Sequence, residues 1–291
     1  IDVYDPGPQR LRSGVFQEVN GLPLGDVAQS AIFKSGKMYI VVNNSGKIEV
    51  VNPNTLESIT TISGFTSPRY IFPVDNNRGY VTDLFAGEIS IIDFNTDVIT
   101  GSIPLPGWSE QMVAVANRVF VAMADTNLIY AIDPDTDEVT DTINVVRGPN
   151  SMLVDDDNNL WVLCDGGFQQ DVPALVRINP FTKVVEDVLS FTDNTVSPSG
   201  LTINRAGNAL YYQLDDGIYR KGINDGALPV TPLISGSYYD FEFRDIDFTI
   251  YALDAKDFSQ PGEVFIYDAT DGTAIDSFDA GIIPGEVVLR Q

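Results

Sequence analysis

The stretch NRGYVTD at residues 77–83 joins a turn to an aromatic and then to a short apolar run. Variants recur as GKMYIVV at 36–42, NRVFVAM at 117–123, NNLWVLC at 158–164, NALYYQL at 208–214 and FTIYALD at 248–254. Their aromatics are Tyr39, Tyr80, Phe120, Trp161, Tyr211 and Tyr251, separated by 41, 40, 41, 50 and 40 residues. A fixed period of that size marks a repeat architecture, in which each unit buries its apolar face only against its neighbours.

Two further markers keep step with the aromatic. After it, an apolar run ends in Asp or Asn and a turn, at Asn52, Asp93, Asp133, Asn179, Asn224 and Asp268. Before it, Gly, Ser or Pro opens a short apolar run, as in GDVAQSAIF, FTSPRYIF, GWSEQMVAV, GPNSMLV, SPSGLTI, SYYDFEF and IIPGEVVL. The intervening runs are rich in Val, Ile, Tyr and Thr and are punctuated by Gly, Asn and Asp, which is strand composition with turn residues between. No segment sustains an apolar period of 3.6 residues. Four strands in each unit of 40–50 residues describe the blade of a β-propeller.

Seven opening markers stand against six aromatics. The N-terminus supplies a further Asp turn at Asp5, and the C-terminus a further opening run, GEVVLRQ. The expectation is therefore a single all-β domain over residues 1–291, a propeller of seven four-stranded blades. Residues 285–289, 1–4 and 13–19 would share the seventh blade, closing the ring with both ends of the chain. The seventh aromatic would fall near position −2, ahead of Ile1, so the N-terminal part of that blade is expected to be missing.

Composition restricts the function. Acids outnumber bases 41 to 17, for a formal net charge of −24, which repels nucleic-acid phosphates and suits cationic or cation-bridged partners. There is no histidine, so the usual general base, the Ser-His and Cys-His pairs and most zinc sites are absent. The one cysteine, Cys164, lies in the apolar run LWVLCDGG and reads as a buried structural thiol. Asp133, Asp135 and Asp137 resemble the start of a calcium loop, but Glu138 stands where the sharp-turn glycine belongs, and no metal is expected there.

In a propeller, the connections between second and third strands, and those between successive blades, reach one face. Here they gather Gln29, Asn43, Asn44, Arg69, Phe85, Trp108, Glu110, Gln111, Asn127, Asn150, Phe168, Gln169, Ser199, Tyr238, Tyr239 and Phe258. Each aromatic taken alone can be a packing anchor. Their convergence on one face suits a bulky neutral ligand with many hydrogen-bonding groups, or a protein partner. The other face carries short polar turns.

The motifs GDVAQS, VVNNSGK, GFTSPRYI, SEQM, YYDF and GIIPG, in this order, resemble the YncE-like propellers of Bacteroidota cell surfaces. That group includes the BtuG-type cobalamin-binding surface lipoproteins. The resemblance spans essentially the whole chain and implies a lipid anchor upstream of Ile1, display outside the outer membrane, and a TonB-dependent transporter as partner. It also implies capture of a corrinoid, with cobalamin as cargo rather than as a resident cofactor. The alternative left open is a protein-interaction subunit of an outer-membrane transport or secretion complex with no small ligand. An enzyme is not expected: carboxylates alone could hydrolyse a glycoside, but no pair of acids is singled out for the task.

Overall fold

The computed structural model describes residues 1–289. A short hairpin of β1 (Val3–Asp5) and β2 (Arg10–Arg12) leads into one six-residue helix, α1 (Val15–Asn20). Blade 1 follows as β3 (Ala28–Lys34), β4 (Lys37–Val42), β5 (Lys47–Val51) and β6 (Ser58–Ser63). Blade 2 is β7 (Pro68–Pro73), β8 (Arg78–Asp83), β9 (Glu88–Asp93) and β10 (Val98–Pro104). Blade 3 is β11 (Ser109–Val115), β12 (Arg118–Met123), β13 (Leu128–Asp133) and β14 (Glu138–Asn144). Blade 4 is β15 (Pro149–Val154), β16 (Leu160–Cys164), β17 (Ala174–Asn179) and β18 (Val184–Ser190). Blade 5 is β19 (Ser199–Ile203), β20 (Ala209–Leu214), β21 (Gly217–Gly222) and β22 (Ile234–Ser235). Blade 6 is β23 (Asp240–Arg244), β24 (Thr249–Asp254), β25 (Pro261–Asp268) and β26 (Ala274–Ile282).

Each blade is an antiparallel meander, and successive blades meet through their first strands, which line the centre of the ring. All six repeated aromatics sit on second strands and are at most 4% exposed. Several also tie one blade to the next. The Tyr39 hydroxyl donates to Asp97 Oδ1 of blade 2 at 2.6 Å, Tyr80 donates to Asp137 of blade 3, and Tyr211 donates to the Ala269 carbonyl of blade 6 at 3.4 Å. Tyr251, in the last blade, instead accepts from Arg244 Nη1 of its own blade at 3.1 Å. The Asp/Asn marker closes the outer hairpin as an Asx turn: Asp93 Oδ1 accepts from the backbone of Asn95 and Thr96, and Asn179 Oδ1 from Phe181 and Thr182.

The blade count is a correction to the sequence reading. Among the described residues there are six four-stranded sheets, not seven, and the place of the seventh is filled differently. Residues 13–19, expected as a strand, are mostly helix: α1 is bracketed by Gly14 and Gly21, both left-handed at φ 66° and 70°. Residues 285–289 form no strand, and among the described residues Val3–Asp5 pairs only with Arg10–Arg12. Residues 290–291 of the expected closing run lie outside the described residues.

The physical reason is local: left-handed glycines bound α1 on both sides, and its buried side chains, rather than a strand ladder, make the closure. Val15 and Phe16 of α1 bury themselves against Met38, Ile40 and Val42 of blade 1, together with Ile1 and Val288. On the other side, Val287 and Tyr4 join Tyr251, Leu253, Val264 and Ile266 of blade 6, with Tyr4 stacked on Phe278 at 3.9 Å. Residues 1–20 and 287–288 therefore meet in one wedge, as a hairpin, a helix and an unpaired segment rather than as the strands of a shared blade.

Candidate functional site

The sixteen candidate residues all fall at one end of the ring, because the meander alternates which face its connections reach. Asn43, Asn44, Phe85, Asn127, Phe168, Gln169 and Phe258 lie between second and third strands, and Trp108, Tyr238 and Tyr239 lie between blades. The remainder sit at the starts of inner strands, where the backbone is not regular. The pairing of β3 with β4 slips between Ala28 and Ser30, β7 with β8 between Pro68 and Ile71, β11 with β12 between Ser109 and Met112, and β15 with β16 between Pro149 and Ser151. Gln29, Arg69, Glu110, Gln111 and Asn150 occupy these slips. A bulge re-aims the side chain it carries, and here it does so at the mouth of the channel.

Some polar candidates tie one blade to the next and others are held within their own. Asn43 is buried and donates to Ser67 Oγ and the Pro68 carbonyl, both at 2.9 Å. Gln111 Oε1 accepts from Met152 N at 3.1 Å, Asn150 Nδ2 donates to the Pro198 carbonyl at 3.3 Å, and Ser199 Oγ accepts from Gln213 Nε2 at 3.0 Å. Asn44 reaches Asp26 and Asn127 reaches Asn144. Tyr238 is half-buried, its hydroxyl 2.8 Å from that of Tyr267.

The aromatics are different. Phe85 is 62% exposed, Trp108 46%, Tyr239 49%, Phe258 56% and Phe168 91%. Phe85 and Trp108 meet edge to face at 5.9 Å, and Tyr239 and Phe258 do the same at 5.6 Å. In ring order this gives three aromatic stations around the mouth: one at blades 2 and 3, one at blade 4, and one at blades 5 and 6. Edge-to-face pairing holds each ring upright while leaving a flank to solvent.

Below them the channel is acidic. Arg69 bonds Glu110 through Nε at 3.0 Å and Gln29 through Nη1, a chain across three adjacent blades. Burial raises the Glu110 carboxyl and Arg69 opposes the rise. Asp240 and Glu242 of β23, and Glu286 of the closing segment, have no such cation among the described residues. Burial, then mutual repulsion, lifts Glu242 and Glu286 to about 8, and burial lifts Asp240 to about 6. Glu286 is open to channel water yet walled by protein, and it accepts from the Ala31 amide of blade 1. Tyr70 faces the same space, its phenol raised by burial and by Glu110.

This carboxyl cluster was not among the sequence candidates. Its signal was present in DFE, where acids two apart on a strand share a face, and in the glutamate of PGEVV. Among the described residues, no group of three or more His, Cys, Asp or Glu is placed to hold a metal ion. Asp137 of the calcium-like run is engaged by Arg78 and Tyr80, and Asp133 lies 3.2 Å from Arg118. Cys164 is fully buried and its thiol is pushed up by burial, so thiolate chemistry is not at hand.

Several solved structures share this fold. A quinoprotein alcohol dehydrogenase-like protein from Bacteroides thetaiotaomicron aligns over 96% of this chain and 73% of its own, with a TM-score of 0.75 and 14% identity. Hydrazine synthase of Kuenenia stuttgartiensis aligns over 86% of this chain and 85% of its own, with a TM-score of 0.68 and 12% identity. A functionally unknown protein from Desulfotomaculum acetoxidans aligns over 90% and 91%, with a TM-score of 0.67 and 10% identity. At such identities the likeness is one of fold. No curated protein matches the sequence. Residues 2–242, from the closing hairpin through five blades and into the sixth, match one family along their length, and the chain belongs to that family, described as Domain of unknown function (DUF5074).

Proposed function

We propose that the protein is a non-catalytic capture module, displayed on the cell surface through a lipid anchor, that holds a corrinoid on its aromatic face for a TonB-dependent outer-membrane transporter. The observation that carries this reading is the set of three exposed aromatic stations around one channel mouth. Exposed aromatics on a rigid scaffold supply contact area at little entropic cost. A wide, flat ligand edged with amides matches stations set apart around a ring, with the Arg69–Glu110–Gln29 chain beneath for its polar groups. The resemblance to surface propellers supports the location and partner. No helix among the described residues is long and apolar enough to cross a membrane.

A second reading, a protein-interaction subunit of an outer-membrane complex, draws support from the opposite face. There Phe181, Ile246 and Phe248 are exposed in hairpin turns of blades 4 and 6. Calorimetric titration with cyanocobalamin separates the two. Under the capture reading, cyanocobalamin binds, and replacing Trp108 and Tyr239 together by Ala weakens binding by ~2 kcal/mol or more. Replacing Asp135 and Asp156 in the opposite turns leaves binding unchanged. No heat from the intact protein, or loss of binding only in the acidic-turn variants, refutes it.

A further inference from the structure

The repeat has one irregular step, the 50 residues from Trp161 to Tyr211, and the structure shows where the extra residues go. They lengthen two loops on the same face: 165–173 inside blade 4, and 191–198 between blades 4 and 5. Insertions confined to one face of a repeat protein commonly build its binding surface. Here the two loops are laced together, with Asn194 Nδ2 donating to the Gln169 carbonyl at 2.8 Å and Phe191 N to the Pro173 carbonyl at 2.9 Å. Between them lies a cavity of about 180 Å³, lined by Asp165, Phe168, Gln169, Asn194, Thr195, Val196 and Ser197.

The backbone around this cavity is held in an unfavourable form. Gly166, Gly167, Phe168 and Gln169 are all left-handed, at φ 79°, 65°, 55° and 66°. For the two non-glycine residues this costs roughly 1–2 kcal/mol each. The geometry is fixed from behind: Asp165 Oδ1 accepts from Gly167 N at 2.7 Å, Asp171 N donates to the Gly166 carbonyl at 2.8 Å, and the Arg147 stem packs on Gly167. The result sets the Phe168 ring, 91% exposed, at the cavity rim. Burying that ring would stabilise the free protein, so its position is costly twice over.

The lining selects a chemistry. It has one free aromatic face, one half-buried carboxylate at Asp165, two amides at Gln169 and Asn194, two hydroxyls at Thr195 and Ser197, and no basic group. With the Asp165 carboxylate and no cation in its lining, the cavity disfavours phosphate, sulfate and carboxylate ligands. A flat apolar platform beside a carboxylate, amides and hydroxyls matches a molecule with a C–H face and a rim of hydroxyl groups. We propose that this cavity is a binding site for a neutral pyranose ring, stacked on Phe168 with its hydroxyls turned to Asp165 and Asn194. The site shares Phe168 with the aromatic face but stands apart from the Trp108 and Tyr239 stations, and its test uses no corrinoid.

The test is saturation-transfer NMR on the intact protein with the methyl glycosides of glucose, galactose, mannose and N-acetylglucosamine at millimolar concentration. At least one should receive saturation, strongest on the ring protons of its apolar face. Phe168→Ala should weaken that binding about tenfold or more, while Phe181→Ala, an equally bare aromatic on the opposite face, should leave it unchanged. Circular dichroism confirms that both variants are folded. Absence of transfer to all four glycosides, or a signal that survives Phe168→Ala, overturns the proposal.

Discussion

Replacing Glu242 by Gln should stabilise the protein at neutral and mildly alkaline pH and leave it unchanged in acid. Glu242 lies in the channel beside Asp240 and Glu286, its carboxyl lifted from 4.5 to about 8 by burial and then by the Asp240 charge. The folded chain therefore holds a proton that the unfolded chain releases between pH 4.5 and about 8. Across that window the unfolded state binds fewer protons, so stability falls as pH rises. Taken at face value, the shift corresponds to roughly 5 kcal/mol at about 1.4 kcal/mol per pH unit. Glu242 is only half-buried and the channel admits water, so screening brings the expected gain to about 2 kcal/mol. For a chain of this size that is a rise in Tm of about 4–8 °C. Gln keeps the shape and the donor of the protonated acid while removing the charge, and it relieves Glu286, which Glu242 also raises. Thermal unfolding followed by circular dichroism across this pH range reads the effect. The reasoning fails if Glu242→Gln is less stable than the parent at the alkaline end, or if the difference between the two does not grow with pH.

Two further outcomes follow from the packing. Phe16→Ala removes the ring that α1 buries against blade 1 and should cost about 3–5 kcal/mol; equilibrium denaturation in urea measures it, and a loss below 1 kcal/mol would mean that the helix does not seal the wedge. Arg69→Ala leaves Glu110 mostly buried without its cation and should cost about 3 kcal/mol at neutral pH. Because Glu110 can then take up a proton, lowering the pH should recover part of that loss in the same denaturation assay, and a penalty independent of pH would refute the pairing argument.

The parts of this fold legible in the sequence are those in which one residue type does one mechanical task per repeat. Tyr39, Tyr80 and Tyr211 recur because a buried ring with a hydroxyl can fill a blade and grip the next. Asp93 and Asn179 recur because an Asx turn needs a short side-chain oxygen at that place. The face carrying Phe85, Trp108 and Tyr239 was legible for the same reason, since strand order alone decides where a connection emerges. What escaped depended on relations that no single segment states. GVFQEVN supports either strand or helix by its own pattern, and only its packing against blade 1 selects the helix, although its flanking glycines were a hint. The slips at Gln29, Arg69 and Asn150 leave no compositional trace, yet they aim those side chains. Asp240, Glu242 and Glu286 come from two distant segments and become a cluster only once the ring is closed.

That closure has a consequence for the order in which the molecule can be made. The contacts sealing the wedge join segments far apart in sequence: Gly281 N donates to Asp2 Oδ2 at 2.8 Å, Gln9 Nε2 to Asp276 Oδ2 at 2.8 Å, and Val288 and Ile1 pack on the same cluster. On a ribosome, blades 1 to 5 can each form as soon as their own strands emerge, because every blade is a local meander. The flank of blade 1 that Ile1, Phe16 and Val288 share has no complete cover until residues beyond 280 have left the exit tunnel. While the five following blades are being made, an apolar wall of blade 1 waits for a partner not yet synthesised. Closing a loop of such length adds little to the entropic cost compared with one half as long, but it sets the time of exposure, and exposed apolar surface on unfinished chains is where aggregation begins. On this account α1 also serves during synthesis: Val15 and Phe16 precede blade 1 in the chain, and they can shelter that wall as soon as blade 1 exists.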